Sequence, residues 1–201
     1  NYIGVEKYEK PLPTTIGGDI LGHFPAYIPK TDEQNFQKVP HLVDGLRHSA
    51  FVGTVKEDGI SCTAYRMGDH IGVCSRNWEL KDDGKNTLWS VTRESGIMEV
   101  LVTLPEGTNL AFQFEVVGPG IQKNHGGYDV LQVRVFDIFD IDISEYMSHY
   151  RYRAICAHNH IPTVRLSVVG DRFDFTGDQL RALAEVKYEN GRTGEGIVIR
   201  S

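Results

Sequence analysis

At 201 residues, 40% hydrophobic and 24% charged, the chain has the composition of a soluble globular protein, one large domain or two small ones, long enough to bury a real core. No apolar run approaches the roughly 20 residues that span a bilayer, and Asn1-Tyr2-Ile3-Gly4-Val5-Glu6 lacks the features of a signal peptide, so no membrane partner is expected. A formal charge of −6 argues against indiscriminate binding to nucleic acid, but it leaves room for a local basic groove or a metal-bridged phosphate site.

In chain order, residues 1–23, with Pro11, Pro13, Gly17, Gly18 and Gly22, read as a linker or extended lead-in without a core, and the initial Asn suggests a piece of a longer protein. Pro25 and Pro29 then force extended backbone, and Thr31 or Asp32 is placed to cap a short helix near Glu33. Residues 51–56, 61–66 and 70–74 read as three strands of an antiparallel meander, joined by Asp58-Gly59 and Gly68-Asp69. Asn86 or Thr87 caps one amphipathic helix carrying Leu88, Val91, Met98, Leu101 and Val102. Gly96 weakens it by about 1 kcal/mol relative to Ala, and Pro105 ends it.

A buried strand over 110–118 carries Glu115 as its one charge. A glycine-rich loop from Gly118 to Gly127 leads to a second strand over 130–141. Cys156, His158 and His160 alternate as on one strand face, a zinc-like spacing with no evident fourth ligand. Thr176 caps a helix over 176–188 with Leu180, Leu183, Ala184 and Val186 inward, and residues 194–201 are strand-like. Cys62, Cys74 and Cys156, odd in number and without C-x-x-C spacing, point to reduced thiols and an intracellular setting.

Lys56 closes the first meander strand in the string Lys56-Glu57-Asp58-Gly59, which alone is ordinary turn vocabulary. Asp58, Glu115 and Glu195 each read singly as structural partners of an arginine. Beside a lysine, the three make an oxygen-rich site for Mg²⁺ or Mn²⁺, held partly through water. A lysine titrates near ~10.4, so a neutral amine at pH 7 costs about 4 to 5 kcal/mol. Burial and a nearby divalent cation lower that cost, carboxylates raise it, and a cation bound to the carboxylates resolves the conflict. The expectation is a buried amine nucleophile.

Lys56-Glu57-Asp58-Gly59, Ser75-Arg76-Asn77, Phe114-Glu115-Val116-Val117-Gly118, Val135-Phe136-Asp137-Ile138 and Glu195-Gly196-Ile197-Val198 fall in the order of motifs I, Ia, III, IIIa and IV of the covalent nucleotidyltransferases. That superfamily holds DNA ligases, RNA ligases and mRNA capping enzymes. Pro29-Lys30-Thr31-Asp32-Glu33, Cys74-Ser75-Arg76-Asn77 and Glu115-Val116-Val117-Gly118-Pro119-Gly120-Ile121-Gln122 resemble the Deinococcus and Naegleria type of ATP-dependent RNA ligase.

The resemblance implies an α+β, ATP-grasp-like nucleotidyltransferase fold over residues 24–201, mostly antiparallel sheets flanked by helices. Residues 1–23 would lead in from an OB-type module, and a closing motif V would lie beyond Ser201. It implies a monomer that joins RNA 3′-OH and 5′-phosphate ends, nicked duplexes included, through a lysyl-AMP on Lys56 and an adenylylated RNA end. ATP and Mg²⁺ or Mn²⁺ are the implied cofactors. Nucleotide contacts are implied for Val55, Lys56, Glu57, Gly59, Arg76, Glu115, Phe136 and Asn35, with Phe136 stacked on adenine; metal ligation, direct or through water, is implied for Asp58, Glu115 and Glu195. Asn35 stands where an arginine is usual, Lys30 and Asp32 match the upstream string without an assigned role, and His125 reads as an exposed turn residue or an RNA contact. Two alternatives stay open: a capping-type guanylyltransferase, and an RNA-end-binding module that kept the pocket and lost catalysis.

Overall fold

The computed structural model describes residues 18–38 and 41–201, so most of the expected lead-in, residues 1–17, lies outside the described residues. A seven-stranded antiparallel sheet runs in the order β1-β5-β4-β3-β6-β7-β8, and a three-stranded antiparallel sheet in the order β10-β2-β9. The large sheet is built from β1 (Ile20–His23), β3 (Ile60–Met67), β4 (His70–Ser75), β5 (Trp78–Leu80), β6 (Leu110–Val117), β7 (Gln132–Asp140) and β8 (Glu145–Tyr146). The small one consists of β2 (Phe51–Val55), β9 (Leu166–Gly170) and β10 (Ile197–Arg200). β1 pairs with β5, so the stretch expected as lead-in ends on an edge strand of the large sheet.

Period-two alternation gives the large sheet two unlike faces. Ile60, Cys62 and Ala64 of β3, Phe112, Phe114 and Val116 of β6, and Val133, Val135 and Ile138 of β7 enter one core. Helices α2 (Thr87–Glu94), α3 (Ile97–Thr103) and α4 (His149–His158) cover that face through Leu88, Val91, Ile97, Leu101, Tyr152 and Cys156. Burying each large apolar side chain there is worth about 1.5–3 kcal/mol. The intervening residues, Ser61, Thr63, Gln113 and Glu115, line the other face, which becomes apolar where Ile28 packs on Tyr65, Ala111 and Phe139. The small sheet repeats the logic. Phe51 joins Phe173 and Leu180 in a second core covered by α1 (Leu42–Leu46) and α5 (Gly177–Ala184).

Several expectations are corrected. β2 does not pair with β3, because both of its edges are taken, by β10 (Val55 opposite Ile197) and by β9 (Phe51 opposite Gly170). Of the three strands expected in the meander, β3 and β4 alone pair as a hairpin, and Asp58-Gly59 is a crossover between sheets. Gly59 serves close approach here, since a Cβ would meet the Val116 carbonyl oxygen at 2.3 Å.

The single helix expected after Asn86 is two. Gly96, at φ 85°, closes α2 in the left-handed conformation, and Val102, expected inward, is 61% exposed. No helix forms near Glu33, because its expected caps bond across the sheet: Thr31 Oγ1 lies 2.5 Å from Ser61 Oγ, and Asp32 pairs with Arg76. Cys156, His158 and His160 are not on a strand. Cys156 is buried at the end of α4 while both histidines are exposed, which separates the zinc-like set.

α5 stops earlier than expected. Thr176 and Gln179 form its capping box, but past Ala184 the chain turns into a bridge between Lys187 and Thr193. Among the described residues no helix is long and apolar enough to cross a membrane.

Candidate active site

Alternation along β2 sends Phe51 and Val55 into the buried side, while Val52 and Thr54 line a cleft between the two sheets. Lys56 follows, just past the strand end. Its N–H donates to the Gly196 carbonyl at 2.9 Å, and the N–H of Val55 donates to the Arg165 carbonyl at 2.8 Å. Tyr188, buried, donates its hydroxyl to the Lys56 carbonyl at 3.1 Å and accepts from the Glu195 N–H at 3.3 Å. This one phenol therefore fixes the backbones of Lys56 and Glu195 together. Their side chains meet as well, Lys56 Nζ donating to the Glu195 carboxylate.

The expectation of a buried amine is corrected. The Lys56 side chain, just past the end of the small sheet, is 47% exposed. Near it, Glu115 sits on the polar face of β6, between its cross-strand partners Ser61 and Arg134. Burial pushes the Glu115 carboxyl up to about 8; the Lys56 charge pulls the other way, and the Glu195 charge adds to the rise. The amine and the two carboxylates thus share one electrostatic site built from both sheets.

Carboxylate oxygens are the hard donors that Mg²⁺ and Mn²⁺ take, and a partly desolvated acidic surplus favours a cation. Among the described residues no three His, Cys, Asp or Glu side chains converge closely enough to ligate one ion directly. The donor set therefore fits a divalent ion held largely through its own waters, as Mg²⁺ commonly is.

The crossover Glu57-Asp58-Gly59 is strapped by the glycine-rich loop. Three successive turns, each closed by a bond from residue i+3 to residue i, run through the loop: Ile121 N–H to the Gly118 carbonyl, Asn124 to Ile121, and Gly127 to Asn124. With a repeat of three residues, side chains 122, 125 and 128 fall on the same side. Gln122 donates to the Gly59 carbonyl at 3.4 Å, His125 Nδ1 lies 2.6 Å from Asp58 Oδ2, and the Tyr128 hydroxyl donates to Glu57 at 2.9 Å. Asn124 braces the loop by bonding both the N–H and the carbonyl of Tyr128, and Asn190 donates to the His125 carbonyl.

Glu57, for which a nucleotide contact is expected, is 8% exposed beneath this strap. Burial raises its carboxyl above the ordinary range, against the Tyr128 hydrogen bond and the Arg134 charge. His125, expected as an exposed turn residue or an RNA contact, is 44% exposed and also partners Asp58.

The remaining candidates lie apart. Phe136 is half-buried and lines a cavity of about 660 Å³ with Val52, Thr54, Asp137, Tyr152 and Arg200. Arg76 pairs with Asp32 at 2.5 Å, and Lys30 Nζ donates to Asn77 at 2.7 Å, so the upstream string is tied to the end of β4. Asn35 is exposed, and its Oδ1 accepts from the Gln37 N–H within its own turn.

Sequence reasoning missed Arg200, which bridges the sheets. Its Nε lies 2.8 Å from Asp137 Oδ2, it also pairs with Glu33, and its guanidinium lies 5.8 Å from the Phe136 ring centre. Burial pushes Asp137 up to about 6 despite that arginine. A charge ending an apolar strand was the available signal for Arg200. Asp137 carried none, because a bulge opposite Gln113 and Phe114 resets the alternation of β7.

A family model described as RNA ligase matches residues 49–201. Solved structures similar to this chain include three forms of Naegleria gruberi RNA ligase: a point mutant with ATP and Mn, another with AMP and Mn, and the protein with PPi. Each is 33% identical at a TM-score of 0.89, over 98% of this chain. The chain spans 59% to 60% of the length of those relatives. No curated protein matches.

Proposed function

Since this chain belongs to the RNA ligase family, we propose that residues 24–201, together with the edge strand β1, are the nucleotidyltransferase domain of an ATP-dependent ligase that joins RNA 3′-OH and 5′-phosphate ends. Lys56 Nζ forms a bond to the α-phosphorus of ATP as the bond to pyrophosphate breaks, and the amine gives up its proton to the carboxylates around it. The adenylate then passes to a 5′-phosphate, and a 3′-OH displaces AMP to seal the strand, at breaks or at nicks.

The observation that carries this reading is the meeting of Lys56 and Glu195 of one sheet with Glu115 of the other. Glu195 holds the amine past the end of the small sheet, and the exposure of Lys56 is what in-line attack on a phosphate requires. Asp58, Glu115 and Glu195 are the residues that would hold Mg²⁺ or Mn²⁺, which supplies charge neutralisation at the phosphates when bound. Phe136 offers an aromatic wall for adenine in the cavity beside Thr54. Support also comes from the Naegleria structures, which hold ATP and PPi, the substrate and leaving group of such a first step, and AMP, the nucleotide that sealing would release. Cys62, Cys74 and Cys156 are all free and buried, in keeping with an intracellular, reducing setting.

The test is intact-mass analysis of the full-length protein after incubation with Mn²⁺ and, in parallel, ATP or GTP. An adenylate on the wild type and none on Lys56→Ala is expected. An adduct that survives in Lys56→Ala, or a guanylate in place of the adenylate, overturns the assignment.

A further inference from the structure

Gln122, His125 and Tyr128 reach successive residues of the crossover, but the three contacts differ in kind. Gln122 meets a backbone carbonyl and Tyr128 meets a buried carboxylate, whereas His125 meets the carboxylate proposed to face the metal. The contact engages Asp58 Oδ2 and leaves Oδ1 without a hydrogen bond among the described residues. The Asp58 side chain is only 15% exposed, so its rotamer is set by what touches it and not by bulk water. His125 is itself held: Asn190 donates to its carbonyl at 2.9 Å, and Asn124 and Gly127, on either side, adopt positive φ of 45° and 68°. A Cβ at Gly127 would lie 2.4 Å from the Asn190 amide nitrogen, so the backbone there packs directly on that brace.

Carboxylates that serve metals are commonly fixed by a hydrogen bond to the oxygen the metal does not use, and losing that outer partner typically costs 10- to 100-fold in metal affinity. We propose that His125 is a positioning residue of this kind: its Nδ1–H holds Asp58 Oδ2, so that Oδ1 is presented to the hydrated divalent ion of the adenylylation step. The glycine-rich loop thereby carries part of the metal site without supplying a ligand. This rests on the ligase reading for the identity of the ion, but not for the direction of the effect.

The test uses full-length protein, with Mn²⁺ alone as the probe and electron paramagnetic resonance reporting free ion. His125→Ala should weaken Mn²⁺ binding 10- to 100-fold with an unchanged melting temperature in chelator. His125→Asn, whose amide nitrogen replaces Nδ1, should recover most of it. Lysyl-AMP formation should then need correspondingly more Mn²⁺ to reach half its rate. Tighter binding in His125→Ala would mean that the imidazole competes with the ion, and unchanged binding would mean that it does nothing for it; either overturns the proposal. The ligase reading fails separately, if wild type binds Mn²⁺ but takes up no adenylate while His125→Ala still loses the ion.

Discussion

Ile60, Cys62 and Ala64 come from the same strand as Ser61 and Thr63, yet the first set packs under helices and the second lies on the opposite, more polar face. β6 repeats the contrast with Phe112 and Phe114 on one side and Gln113 and Glu115 on the other. The difference lies in what each face is left to meet. The apolar face is closed by α2, α3 and α4, whereas the polar face receives one extended segment and the end of the small sheet. Side chains that would otherwise be hydrated are therefore partly desolvated, and this is what raises Glu115 and Asp137. The helix-covered face carries the main core and the other carries the perturbed carboxyls, with only the pleat between them.

Adjacent substitutions at Phe114 and Glu115 should break this symmetry most. Phe114→Ala is expected to cost about 3–5 kcal/mol in chemical denaturation, the range for a buried aromatic. Glu115→Ala is expected to lower lysyl-AMP formation by roughly 100-fold or more while leaving stability equal or higher at pH 8, because a carboxyl that resists ionisation is removed. Equal unfolding costs for the two would show that the faces are not energetically distinct.

Asp137→Asn sharpens the comparison through pH. The folded carboxyl titrates near 6, above its ordinary value of 3.8, so the native state holds the proton more tightly than the unfolded chain. Its contribution is full below pH 3.8 and is lost as pH rises through about 6. From pH 4 to pH 7 the Asn variant should therefore gain on the wild type by about 2–3 kcal/mol, read from paired denaturation curves. No change in the gap across that window would contradict the burial of Asp137.

The smallest effect is expected on the outer side of the helical layer. Val102→Ser, at a position 61% exposed on α3, should alter stability by less than about 0.5 kcal/mol. Leu101→Ala, one residue away and fully buried, should cost several times more on the same assay.

What the sequence made legible follows from how local each signal is. Alternation along β3, β6 and β7 needs only neighbouring residues, so Glu115 could be recognised as the odd charge in an apolar strand. Lys56, Asp58 and Glu195 were singled out by the order of their motifs. The partners of β2 were not, because Leu166–Gly170 and Ile197–Arg200 lie more than a hundred residues on, while Asp58-Gly59 offered a nearer and wrong explanation as a turn. α4 was hidden by its composition, since only Tyr152 and Cys156 are buried in a helix otherwise full of arginine, histidine and alanine. The roles of His125, Tyr188 and Arg200 depend on which distant residue each one meets, and no local pattern carries that information.

The three-residue repeat of the strap also limits how its length can vary. Adding or deleting one residue between 119 and 124 would rotate His125 and Tyr128 out of phase with the crossover, so that Asp58 and Glu57 would lose their partners together. Adding a whole turn would keep the phase and slide the contacts by one place. Unlike an ordinary surface connection, which absorbs insertions of any size, this loop should tolerate length changes only in multiples of three.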